Sequence, residues 1–141
     1  MTKDTKLILK IYGIVLLVIA VLFMIINRID AKRFQEAVKQ RVYIDIFFNA
    51  DRQEPDWDAF FPLEEVGGKR TVLAVLQHMN GDKLELFVDW TGDAATVVSM
   101  HGLENGPEGR WVYFVNGQRE NVPPNQQQVK YGDRIVWRYV K

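Results

Sequence analysis

Hydrophobic and polar positions divide the chain into two regimes. From Ile11 to Ile26, sixteen residues (IYGIVLLVIAVLFMII) run without a charge. Carried back to Leu7, the run takes in Lys10 and covers 20 residues, 7–26. At ~1.5 Å rise per residue this spans roughly 30 Å, the thickness of a bilayer's hydrocarbon core. Lys10 lies within a turn of the end, where its long stem can snorkel to the headgroups. Apolar side chains surround this helix on every side, which suits lipid rather than a docking stripe. Residues 28–41 (RIDAKRFQEAVKQR) continue the helical pattern in polar form. Lys32 and Glu36 are spaced i,i+4, Asp30 and Arg33 i,i+3, and no Gly or Pro intervenes. Ala31, Phe34 and Val38 leave only a thin apolar stripe, as in a solvated stalk.

Beyond residue 41 the period changes. Val42, Ile44 and Ile46 alternate with Tyr43, Asp45 and Phe47, predicting a strand that ends at Phe48. Asn49 to Gly68 reads as a long loop, interrupted by Pro55, Pro62 and the Gly67-Gly68 pair. Thr71 is placed to cap a short helix over 72–79, with Val72, Leu73, Val75 and Leu76 on its apolar side and Asn80-Gly81 closing it. Leu84, Leu86 and Val88 then alternate with Lys83, Glu85 and Asp89 in a half-buried strand, and Thr96 to Met100 forms another. Turn-rich GLENGPEG (102–109) leads into the strand Trp111 to Val115, which Asn116-Gly117 closes as a tight hairpin because both residues accept positive φ. Tyr131-Gly132-Asp133 turns into a final strand, Arg134 to Val140, with Ile135, Trp137 and Tyr139 on one face. The expected divisions are a tail (1–6), a membrane-spanning helix (7–26), a helical stalk (27–41) and a globular domain (42–141).

Composition sharpens this division. The formal net charge is zero, but residues 1–40 carry +4 and the remainder −4. A mildly acidic domain lacks the surplus of Lys and Arg that phosphate neutralisation requires, so a nucleic-acid partner is not expected. The short basic N-terminus also suits a signal peptide. The apolar run is longer than the usual h-region, though, and no A-x-A site follows it, so an uncleaved anchor is expected. Basic residues flank both ends of the helix, and the positive-inside count does not decide orientation. The absence of cysteine excludes disulfides, a thiolate metal site, a cysteine nucleophile and cysteine-linked lipid.

Candidate chemistry is sparse. His78 and His101 have neither H-x-x-x-H nor H-E-x-x-H spacing, and surface or capping roles account for them. Asp51, Glu54, Asp56 and Asp58 cluster without the spacing of a calcium loop. They read as a solvated segment whose interleaved aromatics fold back on the domain. No metal site, cofactor or catalytic residue is expected, and Asp133 reads as a turn residue. Trp111, Tyr113, Trp137 and Tyr139 occupy alternate strand positions, as a core face requires. Trp57, in the long loop, and Trp90, in a turn beside Thr91-Gly92, have no such structural reason. With Asn116 and Gln118 at the hairpin tip, they are the candidate binding residues.

TVLAVLQHM, GRWVYFVNGQ and YGDRIVWRYV, in that order, resemble the transcobalamin C-terminal-like domain family over roughly residues 42–140. The resemblance implies an α+β architecture, a small β-grasp fold with a mixed sheet packed on one short helix, preceded here by the transmembrane helix. The family is found on secreted and membrane-anchored proteins, and in vitamin B12 carriers it covers one side of the bound corrinoid. The expected function is therefore a non-enzymatic ligand- or protein-binding module on the outer side of a bacterial cell membrane. Its expected partners are lipid around 7–26 and a membrane protein or small planar ligand. A corrinoid (cobalamin)-binding accessory protein and a structural subunit of a membrane complex are the alternatives.

Overall fold

The computed structural model describes residues 3–79 and 83–141, with side chains of the long helix described from Tyr12 to Glu36. The chain divides into two compact units, Met1–Val38 and Lys39–Lys141. The first unit is helix α1 (Lys3–Lys39), which contains a window, Tyr12–Glu36, of mean hydropathy 2.4. None of that window is buried, and Leu17, Phe23 and Ile26 are among its exposed apolar side chains. By length and composition the helix can cross a membrane.

The second unit is a mixed α+β domain. Its main sheet has the order β2-β1-β8-β6-β7, built from β1 (Arg41–Phe47), β2 (Trp57–Pro62), β6 (Arg110–Val115), β7 (Gln118–Arg119) and β8 (Arg134–Val140). A smaller sheet, β3-β4-β5, comprises Phe87–Thr91, Ala94–Met100 and Leu103–Glu104. The helix α2 (Val72–Met79) lies between β2 and β3 in sequence. At the centre of the main sheet β8 pairs in parallel with β1 and antiparallel with β6. Its inner face carries Ile135, Trp137 and Tyr139, packed with Ile44, Ile46, Trp111 and Tyr113. Val72, Leu73, Val75 and Leu76 of α2 and Ala95, Val97 and Met100 of β4 join the same core.

Several elements follow the sequence pattern closely. Helix α2 has the expected bounds, and Thr71 Oγ1 accepts the Ala74 N–H at 3.3 Å in an N-cap. The Asn80-Gly81 closure lies outside the described residues. At the β6–β7 hairpin, Asn116 (φ 50°) and Gly117 (φ 82°) both adopt positive φ, as a two-residue turn of this hand needs.

Three expectations are corrected. The segment 49–68 is not all loop: β2 runs antiparallel to β1, from Trp57 opposite Ile46 to Pro62 opposite Arg41. Trp57, Ala59 and Phe61 are half-buried and packed on the core, while Asp58 and Phe60 are exposed. Pro62 ends this strand without breaking the sheet, because β2 is an edge and one N–H on its far side needs no partner. The strand predicted from Lys83 begins only at Phe87, since Glu85 takes φ 42° and interrupts the extended backbone. The helical reading of 28–41 stops at Lys39, and Arg41 already belongs to β1, whose Val42, Ile44 and Ile46 are wholly buried.

The outer face of the main sheet is sealed by arginines. Arg138 lies 3.9 Å from the Phe47 ring centroid and donates to the Ala50 carbonyl, and the Phe47 side chain beneath it is buried. Arg134 Nε donates to Asp45 Oδ2 at 2.6 Å, and this bond holds the guanidinium pKa above its ordinary value.

Two tests follow from the packing. A Cβ on buried Gly109 would lie 2.6 Å from Tyr139 Cε1 and 2.9 Å from the Val140 carbonyl oxygen. Gly109→Ala should therefore lower stability by about 1–3 kcal/mol, read as a lower urea midpoint. Tyr113, whose hydroxyl donates to the Val122 carbonyl, has its pKa pushed up to about 12 by burial and then by Glu120. The unfolded phenol ionises near 10 and the folded one near 12, so the unfolded state loses its proton first and stability falls as pH rises through that window. Alkaline titration followed by circular dichroism should show this loss, and Tyr113→Phe should flatten it.

Candidate functional site

The C-terminal unit holds a cleft of about 790 Å³. One side is α2 from Thr71 to Gln77, and the opposite side is the β3–β4 hairpin with Trp90 and Asp93. The segment Asn125–Gln128 closes a third side, and Lys69 stands at the approach.

The walls are held by backbone and amide hydrogen bonds. The first turn of α2 leaves N–H groups without helical partners. Here Val72 N–H donates to Gln127 O at 3.0 Å, Leu73 N–H to Pro124 O at 2.9 Å and Ala74 N–H to Thr71 Oγ1. The helix N-terminus is therefore spent on the 124–127 segment and is not free to hold an anion. Asn125 fixes the opposite wall: its Oδ1 accepts Ala95 N–H at 2.8 Å and its Nδ2 donates to Asp93 O at 2.7 Å. Gln126 adds a longer bond to the same Asp93 carbonyl. The β3–β4 turn and the start of β4 are thus tied to a loop some thirty residues away, leaving Trp90 on β3 projecting, 54% exposed.

Chemically, the cleft combines one indole face with the amides of Gln77, Gln126 and Gln128 and a single pair of opposite charges, Lys69 and Asp93. Such a surface can stack a planar or apolar group and satisfy polar edges beside it. Among the described residues no three His, Cys, Asp or Glu side chains converge as a metal site would require.

The four candidate residues fall in three separate places. Trp90 lines the cleft, although it sits on β3 rather than in the turn. Trp57 is not a loop residue: it lies half-buried on β2, with its ring centroid 6.4 Å from Phe48 and 5.9 Å from His101. The strand alternation that turns Phe60 outward turns Trp57 inward. Asn116 uses its side chain to join the hairpin to β8, donating to Asp133 Oδ1 at 2.8 Å and accepting Arg134 N–H at 2.9 Å. Gln118 is exposed on β7. Register separates these groups, since Trp57 lies opposite Ile46 at one end of β1, while Arg134, bonded to Asn116, lies opposite Tyr43 near the other. Asn125 and Gln77 were not singled out from sequence. Asn125 bonds across thirty residues and leaves no local sign.

A mixed sheet and a short helix sharing one core, with the aromatic β6 and β8 at its centre, define a β-grasp domain. The fold is shared with a Ruminococcus gnavus protein provisionally described as metal binding (12% identity, TM-score 0.52, covering 72% of this chain and 97% of that one). Haptocorrin in complex with Cbi also shares it (13% identity, TM-score 0.52), with 73% of this chain aligned to only 26% of haptocorrin. No curated protein matches the chain. The chain belongs to the DUF4430 family, described as a domain of unknown function, whose pattern matches residues 70–141. That match takes in α2, the β3–β4 and β6–β7 hairpins and the lining of the cleft apart from Gly67 and Lys69.

Replacing Asn125 with Ala strands the Ala95 N–H and leaves the Asp93 carbonyl only the longer bond from Gln126. The expected cost is about 1–3 kcal/mol, with faster hydrogen exchange at the Ala95 amide. Exchange at the Val136 amide, in the central strand, should change only as much as global stability does.

Proposed function

We propose that the chain is a single-pass membrane protein whose C-terminal unit is a non-catalytic binding module held outside the cytoplasmic membrane of a bacterium. Its ligand or protein partner occupies the cleft beside Trp90. The carrying observation is that cleft: about 790 Å³, lined by a half-exposed indole together with the amide side chains of Gln77, Asn125, Gln126 and Gln128. An exposed tryptophan at the mouth of a hollow offers a large apolar contact at little conformational cost. The membrane part of the reading rests on the unburied apolar window of α1. The extracytoplasmic part rests on the family resemblance, since charge leaves orientation open.

A corrinoid is the sharper alternative ligand, favoured by the fold shared with haptocorrin, a protein solved with Cbi bound.

A photoreactive residue at Gln77 should form adducts in intact cells, while the same residue at Gln118, which does not line the cleft, should not. Equal labelling at both positions would overturn the cleft assignment. Adding cobalamin to the full-length chain in mild detergent separates the alternatives. The corrinoid reading expects a visible spectral shift that Trp90→Ala weakens about ten-fold or more, the scale of a lost aromatic anchor. Protease added outside the cells should remove the C-terminal unit, and protection would reverse the assigned topology.

A further inference from the structure

The main sheet ends on one side in β2, and no described strand pairs with its far side. The opposite edge is blunted, because β7 is only two residues long. β2 is six residues long and carries Phe60, 56% exposed. Edges of this kind are templates for another strand unless something covers them.

Register fixes which groups the edge offers. Leu63 N–H donates to Gln40 O at 3.3 Å, extending the β1–β2 pairing by one position. In an antiparallel ladder, bonded and non-bonded pairs alternate. Residues 57, 59 and 61 therefore bond to β1, whereas Asp58 and Phe60 turn their N–H and C=O groups to the open side. Tyr43 agrees with this parity: it faces Phe60, and its N–H is directed to Asp133 O on the β8 side. Pro62, which has no N–H, falls at the next outward position.

We infer that β2 pairs with β2 of a second copy of this chain, antiparallel about Ala59, joining the two main sheets edge to edge. A two-fold through Ala59 sets Asp58 against Phe60 of the partner subunit and Phe60 against Asp58 of the partner subunit. All outward N–H and C=O groups of Asp58 and Phe60 are then used. The contact is isologous, as a closed dimer requires. Its charges also fit. Arg41 lies with its guanidinium carbon 4.7 Å from the Phe60 centroid, so the partner's Asp58 arrives beside a ring already covered by a cation. The two aspartates stay diagonal to each other, and the central position holds only the small side chain of Ala59.

The chain has no cysteine, so one introduced thiol reports one position. Directly opposed non-bonded strand positions lie at ~4.5 Å between Cα atoms, within disulfide range. In full-length protein in mild detergent, Ala59→Cys should give a covalent dimer on gentle oxidation, about ten-fold more than Gln118→Cys on the other edge. Asp58→Arg or Arg41→Asp should cut the Ala59 crosslink about ten-fold, and the two together should restore it. If Ala59→Cys fails to fold, mixed Asp58→Cys and Phe60→Cys chains test the same register. Equal crosslinking at positions 59 and 118 would overturn the inference. So would a monomer of the unmodified chain by light scattering at micromolar concentration, or a dimer indifferent to the charge exchange. These readouts are independent of what occupies the cleft.

Discussion

The fold depends on the parallel pairing of β1 with β8, strands from the two ends of the C-terminal unit. Parallel neighbours cannot be joined by a tight turn, so the connection must leave the sheet and come back. Here it includes β2, α2, the small sheet and the β6–β7 hairpin. With β8 held between β1 and β6, Ile135, Trp137 and Tyr139 all face one way, and each intervening element buries its apolar side against that surface. Loss of this pairing would leave α2 with four large apolar residues and nothing to cover them.

Where ladder hydrogen bonds run out, asparagine side chains replace them. Asn105 accepts Trp111 N–H at 2.7 Å and donates to Val97 O at 2.8 Å, linking β6 to β4 across the gap between the two sheets. Asn116 links the hairpin to the start of β8, and Asn125 links the β3–β4 turn to the loop before β8. A primary amide offers a donor and an acceptor side by side, the arrangement a peptide unit presents to a neighbouring strand. Each asparagine thus bridges a site where two strand ends meet without continuous pairing. The cleft wall is one of these sites, so its shape is set by the same device that holds the sheets together.

This explains which parts of the molecule were legible in the sequence. Helix α2, β6 with its Asn-Gly turn, and β8 carry their period and end signals locally, and each formed as read. β2 did not, because Pro55 and Pro62 are breakers in an isolated segment and become harmless only once β2 is known to be an edge. Glu85 shows the converse: its segment alternates like a strand, yet a left-handed residue delays the strand to Phe87. The same limit applied at the cleft. Trp90 was conspicuous because an indole beside a turn lacks a packing reason. Asn125 was not, since its partners are adjacent only after folding, and Trp57 took an inward position that its neighbours in sequence could not indicate.

The single residue Gln40 between α1 and β1 has a mechanical consequence. Force arriving through the helix enters the domain at Arg41, the start of β1, and leaves through the end of β8 if the far terminus is held. Because these strands are parallel, the two points of load lie at opposite ends of one ladder. The β1–β8 hydrogen bonds are then stretched in shear and share the load, instead of opening one by one as at the end of a hairpin. A tug along this path meets the most resistant direction of the sheet, whereas the β6–β7 hairpin, outside the line of force, can open without disturbing it.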